Sequence, residues 1–264
     1  MKEKTTCCLV ITTYNWPQAL NLSLRSIFNQ SQMPNEIIIA DDGSTHETAQ
    51  LIKNISKEYN YPIKHCWQED NGFRLARSRN NAIIESNCDY IVFIDGDIIT
   101  HKDFILDHVT YAEKGCFVNG SRVMISKEKT LGILSGKLSK ISCSLRKDKN
   151  YINSLRIPIL HKLIKGPQYT IKRIKGCNMA FWKDDLMLSN GFDENYVGWG
   201  REDSDIAIRL MNMGLKRKNL KFAAIAFHIF HNEQPKQLLD QNHKILMNVM
   251  VRKLTYAKIG IYQH

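Results

Sequence analysis

The sequence predicts an α/β protein with a mostly parallel central sheet and helices on both faces. Three observations carry this. Short apolar runs rich in β-branched residues alternate with helix-period segments through the first hundred residues, and uninterrupted runs of that kind mark strands buried on both faces. Turn residues stand at the junctions between segments. Acidic residues cluster where apolar runs end, the edge at which open α/β sheets gather their ligands.

Cys7–Thr13 (CCLVITT) is the first strand, ended by Tyr14-Asn15-Trp16-Pro17. Pro17 suits a first helical turn, where an N–H has no intrahelical partner. It opens a helix over Gln18–Asn29 with Leu20, Leu24, Ile27 and Phe28 on one face. Glu36–Ala40 (EIIIA) is a second strand, followed by Asp41-Asp42-Gly43-Ser44-Thr45 and a helix that runs to about Glu58 with Leu51, Ile52 and Ile55 inside. Ile63–Trp67 is a third strand, Phe73–Glu85 a third helix and Tyr90–Ile94 (YIVFI) a fourth strand. The alternation makes a Rossmann-like half. Beyond Ile99 the rhythm loosens. A helix is expected at Lys102–Glu113, a strand at Cys116–Gly120, and strand-and-loop character at Lys175–Trp182 and Phe192–Trp199. Then come a helix over Asp203–Met213, stopped at Gly214, a strand at Ala223–Phe230 and a closing helix at Gln237–Leu254.

The 264 residues, 43% hydrophobic and 24% charged, have ordinary globular composition, which excludes disordered and collagenous chains. No apolar run reaches the roughly 18 residues of a membrane helix; Tyr90–Thr100 is interrupted by Asp95 and Asp97. Cys7–Thr12 is too short for a secretory h-region, so a cytoplasmic location is expected. The seven cysteines form no CxxC and are expected as reduced thiols. Net charge is +11, and its place matters more than its size. Between Lys127 and Lys175 thirteen Lys/Arg face only Glu128 and Asp148, so this segment holds the entire excess. Leu131, Ile141, Leu145, Ile152, Leu155, Ile159 and Ile164 are threaded through it. That describes basic amphipathic helices suited to an anionic membrane surface or a polyanion, or else a solvated excursion packed on the body. No nucleic-acid partner is expected, because no helix-turn-helix, zinc-finger or RNP-like pattern accompanies the charge.

Asp95-Gly96-Asp97 places two carboxylates at the end of an apolar strand. Holding them together calls for a hard divalent cation, Mg²⁺ or Mn²⁺, although Asp and Gly also make plain turns. Asp41-Asp42-Gly43-Ser44 closes the second strand, and Glu202-Asp203, with Asp205, opens a helix after Gly198-Trp199-Gly200-Arg201. In WQEDNGFRLARSRNN (Trp67–Asn81) a helix start carries Arg74, Arg77 and Arg79, a ready site for a diphosphate. Which of Arg77 and Arg79 faces the ligand stays open. His228 and His231 follow an apolar strand at i and i+3, and imidazole suits Mn²⁺.

These segments, with GCNMAF and NGFDENYVGWGREDSD between Gly176 and Asp205, resemble family 2 glycosyltransferases of the GT-A fold that carry a C-terminal galactosyltransferase-type motif. Similar segments occur in chondroitin-polymerase-like enzymes and β-1,4-galactosyltransferases. The resemblance covers roughly 7–120 and 175–235. It implies one GT-A domain over 1–264, with a nucleotide-binding half (1–100), an acceptor and catalytic half (101–126 and 174–235), a basic insertion (127–173) and a C-terminal helix (236–264). Thr12, Thr13, Tyr14, Asp41, Asp42, Arg74, Arg77, Asp95 and Gly96 would bind a nucleotide-sugar donor. Asp97, one of His228 and His231 (His228 first), and Asp95 as a further ligand would hold Mn²⁺ or Mg²⁺. Asp203 would be the general base, with Glu202 beside it; Trp199, Gly200 and Asn178 would meet the acceptor. The implied activity is inverting, metal-dependent transfer from a UDP-hexose or UDP-N-acetylhexosamine to a glycan hydroxyl. The charge of the basic segment suits, in turn, a lipid-linked glycan or lipopolysaccharide precursor at the inner membrane face, as in bacterial surface polysaccharide or lipopolysaccharide synthesis. Two rivals stand beside it. A sugar nucleotidyltransferase also uses a sheet-end metal site, but its usual glycine- and lysine-rich N-terminal loop is missing. A polyanion-binding protein on an inert scaffold would leave three acidic clusters unneutralised.

Overall fold

The computed structural model describes residues 5–138, 148–163, 169–232 and 235–263. Stretches 139–147 and 164–168, with Ile141, Leu145 and Ile164 of the expected amphipathic pattern, lie outside the described residues. In chain order the elements are β1 (Cys7–Thr13), α1 (Pro17–Ile27), β2 (Glu36–Asp41), α2 (His46–Glu58), β3 (Ile63–Trp67), α3 (Leu75–Glu85) and β4 (Tyr90–Asp95). There follow β5 (Ile98–Thr100), α4 (Phe104–Thr110), β6 (Cys116–Gly120), β7 (Arg122–Met124), α5 (Lys127–Leu134) and α6 (Pro158–Leu163). The chain closes with β8 (Asn178–Trp182), α7 (Lys183–Leu188), α8 (Glu202–Asn212), β9 (Lys216–Leu220), β10 (Ala226–His228) and α9 (Leu239–Arg252).

The main sheet has the order β3-β2-β1-β4-β8-β6-β9. Only β8 runs against its neighbours; the remaining pairs are parallel. Alternation along β1 shows why its sequence is apolar throughout. Cys7, Leu9 and Ile11 enter a core shared with Leu20, Leu24 and Ile27 of α1. Cys8 and Val10 enter another, shared with Ala76, Ala82 and Ile83 of α3. Burying each such Leu, Ile or Val contributes roughly 1.5–3 kcal/mol. A second sheet, β5-β10-β7, forms beside the carboxyl end of β4. The sequence pattern does not foresee β5, β7 or β9, two of them only three residues long and the third largely basic (KRKNL).

Among the described residues the basic segment contributes α5 with eight residues, α6 with six and a 3-10 turn over Tyr151–Ser154. It is tied to the body. Asp148 accepts from the Ser126 N–H and pairs with Lys129; Arg156 pairs with Asp103 and Asp107. Even so Leu131, Ile152, Leu155 and Ile159 are exposed, Ile159 by 78%. Among the described residues no helix is long and apolar enough to cross a membrane, and the described cysteines are free.

Candidate functional site

Parallel register sets the site's floor. Thr12 lies beside Asp95 and Thr13 beside Asp41, and the Thr12 hydroxyl donates to Asp95 Oδ1 at 3.1 Å. Gly96 follows because the turn passes so close that a Cβ there would sit 2.8 Å from the Thr12 carbonyl oxygen. Tyr14, half exposed, donates its hydroxyl to Asp70 at 3.0 Å. Asp42 accepts from Gln68 Nε2 and the Arg74 N–H, and burial pushes its carboxyl up to about 6. The expectation that Asp41 touches the nucleoside needs correction. Its side chain is fully buried, with one oxygen accepting from the Ser44 N–H and the other bonded to His65. It orders the turn.

The second sheet builds a cluster at the end of β4. Pairing of β10 with β5 sets His228 opposite Ile98, the residue after Asp97, and the Ile229 N–H donates to the Asp97 carbonyl at 3.1 Å. Asp97 Oδ1 is 3.4 Å from His228 Nε2, and Oδ2 is 3.2 Å from His231 Nε2. One ligand atom from each of the three residues lies within 4.8 Å of the others. Asp97 Oδ1 and His228 Nδ1 are buried without a hydrogen-bond partner. Burial, and then Asp95, push the Asp97 carboxyl up to about 8; burial holds His228 neutral, down to about 3. An orphaned carboxylate oxygen beside the neutral His228 imidazole suits a divalent cation, whose charge would reverse the Asp97 shift. The structure brings both histidines to Asp97 rather than one. Asp95 is not in the cluster.

Asp95 faces Arg79 instead. Its Oδ1 lies 3.4 Å from Arg79 Nη2, while Arg79 Nη1 lies 3.2 Å from Glu202 Oε1. The guanidinium is 2% exposed and stacks 5.1 Å from the Phe192 ring. One buried cation therefore joins the turn of Asp95 and Asp97 to the start of α8. Burial, then Asp203, raise Glu202 to about 7, with Arg79 pulling the other way. Asp203 is oriented by backbone: Oδ2 accepts from the Gly176 N–H at 3.0 Å and Oδ1 from the Ser204 N–H at 2.6 Å. A Cβ at Gly176 would press on Arg79 at 3.0 Å. Trp199 is 40% exposed. Its loop is pinned by buried Asn242 of α9, which donates to the Val197 and Gly200 carbonyls.

Two further placements bear on the sequence reading. Asn178 is fully buried; its amide donates to the Ser121 and Ala224 carbonyls and its oxygen meets His108. With its bonding capacity spent in the core it offers nothing to an acceptor, which corrects the expectation. Arg77, two residues and about 200° around α3 from Arg79, lines a cavity of about 210 Å³ with Asn71, Arg74, Ala76, Glu194 and Tyr196. Arg79, not Arg77, reaches the Asp95 and Glu202 carboxylates. Sequence reasoning also missed Arg122 and Lys175, whose charges act on His228, and Asn242. The only sequence signal for Lys175 was its place beside the GCNMAF segment; Asn242 lay inside a helix with none.

The model of "Glycosyl transferase family 2" matches residues 8–165, and that of "N-terminal domain of galactosyltransferase" matches residues 160–232. The chain is 24% identical to the chondroitin synthase of Escherichia coli over 93% of its own length and 37% of that protein. It spans about a third of the curated relatives it matches first. Among solved structures it resembles the mannosyltransferase PcManGT from Pyrobaculum calidifontis in complex with GDP-Man and Mn²⁺: TM-score 0.60, 17% identity, 86% of this chain and 57% of that one. It also resembles S. aureus TarS 1-349 in complex with UDP: TM-score 0.64, 14% identity, 97% of this chain and 68% of that one.

Proposed function

The chain belongs to glycosyl transferase family 2, and from that premise we propose that it moves a sugar, with inversion, from a UDP-hexose or UDP-N-acetylhexosamine to a glycan hydroxyl. The Arg79 bridge supports this most. It holds the start of α8, where Asp203 lies, one guanidinium away from the turn of Asp95 and Asp97. A base for the acceptor and a cation for the donor thus share one cleft. The family match sets the nucleotidyltransferase and inert-scaffold readings aside.

In this reading Thr12, Thr13 and Tyr14 wall the nucleoside, and Asp97, His228 and His231 hold Mn²⁺ or Mg²⁺, which supplies positive charge to the donor diphosphate. Asp203 takes the acceptor proton. Oδ1 accepts from both the N–H and the hydroxyl of Ser204, which fixes the orientation, while Oδ2 accepts only from the Gly176 N–H and keeps a lone pair for a hydroxyl. The acceptor oxygen attacks the anomeric carbon from the side opposite the diphosphate. A new C–O bond forms as the old one breaks, and the leaving diphosphate keeps the electron pair. An α-linked donor gives a β-linked product with no covalent sugar–enzyme intermediate. Glu202 accepts from acceptor hydroxyls, and the Trp199 ring gives the sugar an apolar face. The test is a donor-hydrolysis screen of UDP- and GDP-sugars with Mn²⁺. Release from a UDP-sugar is expected; no release from any donor refutes the reading.

The acceptor follows from the basic segment. Its surplus of lysines and exposed Ile152, Leu155 and Ile159 support a lipid-linked glycan of surface polysaccharide or lipopolysaccharide synthesis, met at an anionic inner membrane face. The segment borders the cation cluster, since the Phe230 N–H donates to Thr130 of α5 at 2.8 Å. Flotation with anionic vesicles tests this; absence of binding at low salt refutes it.

A further inference from the structure

His231 lies beyond the end of β10, and its side chain is 33% exposed. An imidazole on a loop gives up rotamer freedom when it ligates, so a ring already held in place binds a cation more tightly. The backbone supplies part of the hold. The Phe230 N–H donates to Oγ1 of buried Thr130 at 2.8 Å, and the His231 Nδ1–H donates to the Asn232 carbonyl at 2.7 Å. In the neutral ring that bond leaves the lone pair on Nε2, which faces Asp97 Oδ2 at 3.2 Å. Two rings touch the imidazole itself. His228 lies tilted to it with centroids 5.1 Å apart, and Trp16 meets it edge to face, centroids 6.2 Å apart and planes at 77°.

Trp16 stands in the loop after β1 and has no part in the mechanism above. Its backbone is fixed from both sides. Asn15, in the left-handed region at φ 46° that Asn tolerates, donates its N–H to Ser44 Oγ and accepts from the Thr45 N–H, each at 2.9 Å. Pro17 keeps the residue before it out of the helical region, and Trp16 stands at φ −135°, ψ 67°. Its carbonyl accepts from the Leu20 N–H at 3.2 Å, while its side chain makes no cap on α1. We infer that Trp16 is a positioning residue for His231, its ring backing the imidazole so that Nε2 stays turned toward Asp97. The inference rests on the reading of Asp97, His228 and His231 as metal ligands. The loop that carries Tyr14 at the nucleoside wall then also sets a ligand of the cation. Buried Asp41 gains a role as well, since it holds the Ser44 N–H and so orders the turn to which Asn15 is tied.

Calorimetric titration of Mn²⁺ into the full chain, without nucleotide, tests this. Trp16→Ala removes the ring and none of the backbone bonds. It should weaken Mn²⁺ binding about threefold to tenfold, the range of one aromatic pair, and Trp16→Phe should restore most of the loss. In a His231→Ala background the same Trp16→Ala change should cost nothing further, because the ring acts only through the imidazole. Unchanged Mn²⁺ affinity in Trp16→Ala, or an equal loss with and without His231, would overturn the inference while leaving the metal reading in place. Failure of the wild-type chain to bind Mn²⁺ would overturn both together, which distinguishes it from a failure confined to the variants.

Discussion

Replacing Arg79 by glutamine removes the charge that joins the two halves of the cleft, and its cost follows from the structure. Breaking a buried ion pair from one side costs roughly 3–5 kcal/mol. The contacts are 3.4 and 3.2 Å, and the Asp95 side chain is 32% exposed, so the lower end, about 3 kcal/mol, applies. For a chain of this size that lowers the melting temperature by roughly 6–12 °C. Its pH dependence gives the sharper test. Glu202 is raised from 4.5 to about 7 by burial and Asp203, against the pull of Arg79. Its folded value lies above its unfolded one, so its ionisation opposes folding increasingly as pH rises from about 4.5 to about 7. Without Arg79 the folded value climbs further and the penalty extends to higher pH. Calorimetric melts of wild type and Arg79→Gln should therefore differ little near pH 5 and most near pH 8, with Arg79→Lys between them. Equal deficits at both pH values would refute the Glu202 account and leave the Asp95 contact and the stacking on Phe192 as the source of the loss.

Asp203→Asn should abolish transfer while leaving UDP binding nearly intact; undiminished turnover would remove Asp203 from the mechanism. Metal affinity should rise about tenfold per pH unit and level off near pH 8, because Asp97 must lose the proton it holds to about 8 before it can coordinate; a Mn²⁺ titration by calorimetry that shows no pH slope contradicts this. Gly96→Ala forces the turn away from the Thr12 carbonyl, which a Cβ would approach to 2.8 Å, and should weaken Mn²⁺ binding with little change in far-UV dichroism. Asn242→Ala frees the Val197 and Gly200 carbonyls from their buried donor and should cost about 1–3 kcal/mol while raising acceptor KM more than donor KM.

The sequence pattern located β1, β2 and β4 of the main sheet well because these strands are buried on both faces, and uninterrupted apolar runs such as Tyr90–Ile94 leave little ambiguity. Strands β5 and β7, three residues each, are too short for periodicity to register. The acidic clusters were legible by type and spacing, but their partners were not. Asp41 and Asp42 look alike in sequence, yet Asp41 is closed off by Ser44 and His65 while Asp42 receives Gln68 and the Arg74 N–H. Asn178 looked like a site residue because it follows Gly176 and Cys177 in a motif. On β8 the pleat turns it into the core instead, toward His108. Arg79 could be told from Arg77 only once the phase of α3 against the cleft was known.

The small sheet explains why the cation cluster is assembled from such distant residues. A metal site needs ligands held rigidly in place, and strands hold side chains better than loops do. Strand β10 is paired on one side with β5, which begins immediately after Asp97, and on the other with β7, which begins at Arg122. The pairing of β10 with β5 thus places a carboxylate and an imidazole together, with His231 joining from the loop beyond β10 through its approach to Asp97. None of these strands has enough apolar surface to stand alone. Val123, Ile125, Ile225 and Phe227 supply a satellite core for them. Cutting into that core, as in Phe227→Ala, should therefore weaken metal binding without touching a ligand. A variant that lost stability yet kept wild-type Mn²⁺ affinity would show that the cluster is held by something other than this sheet.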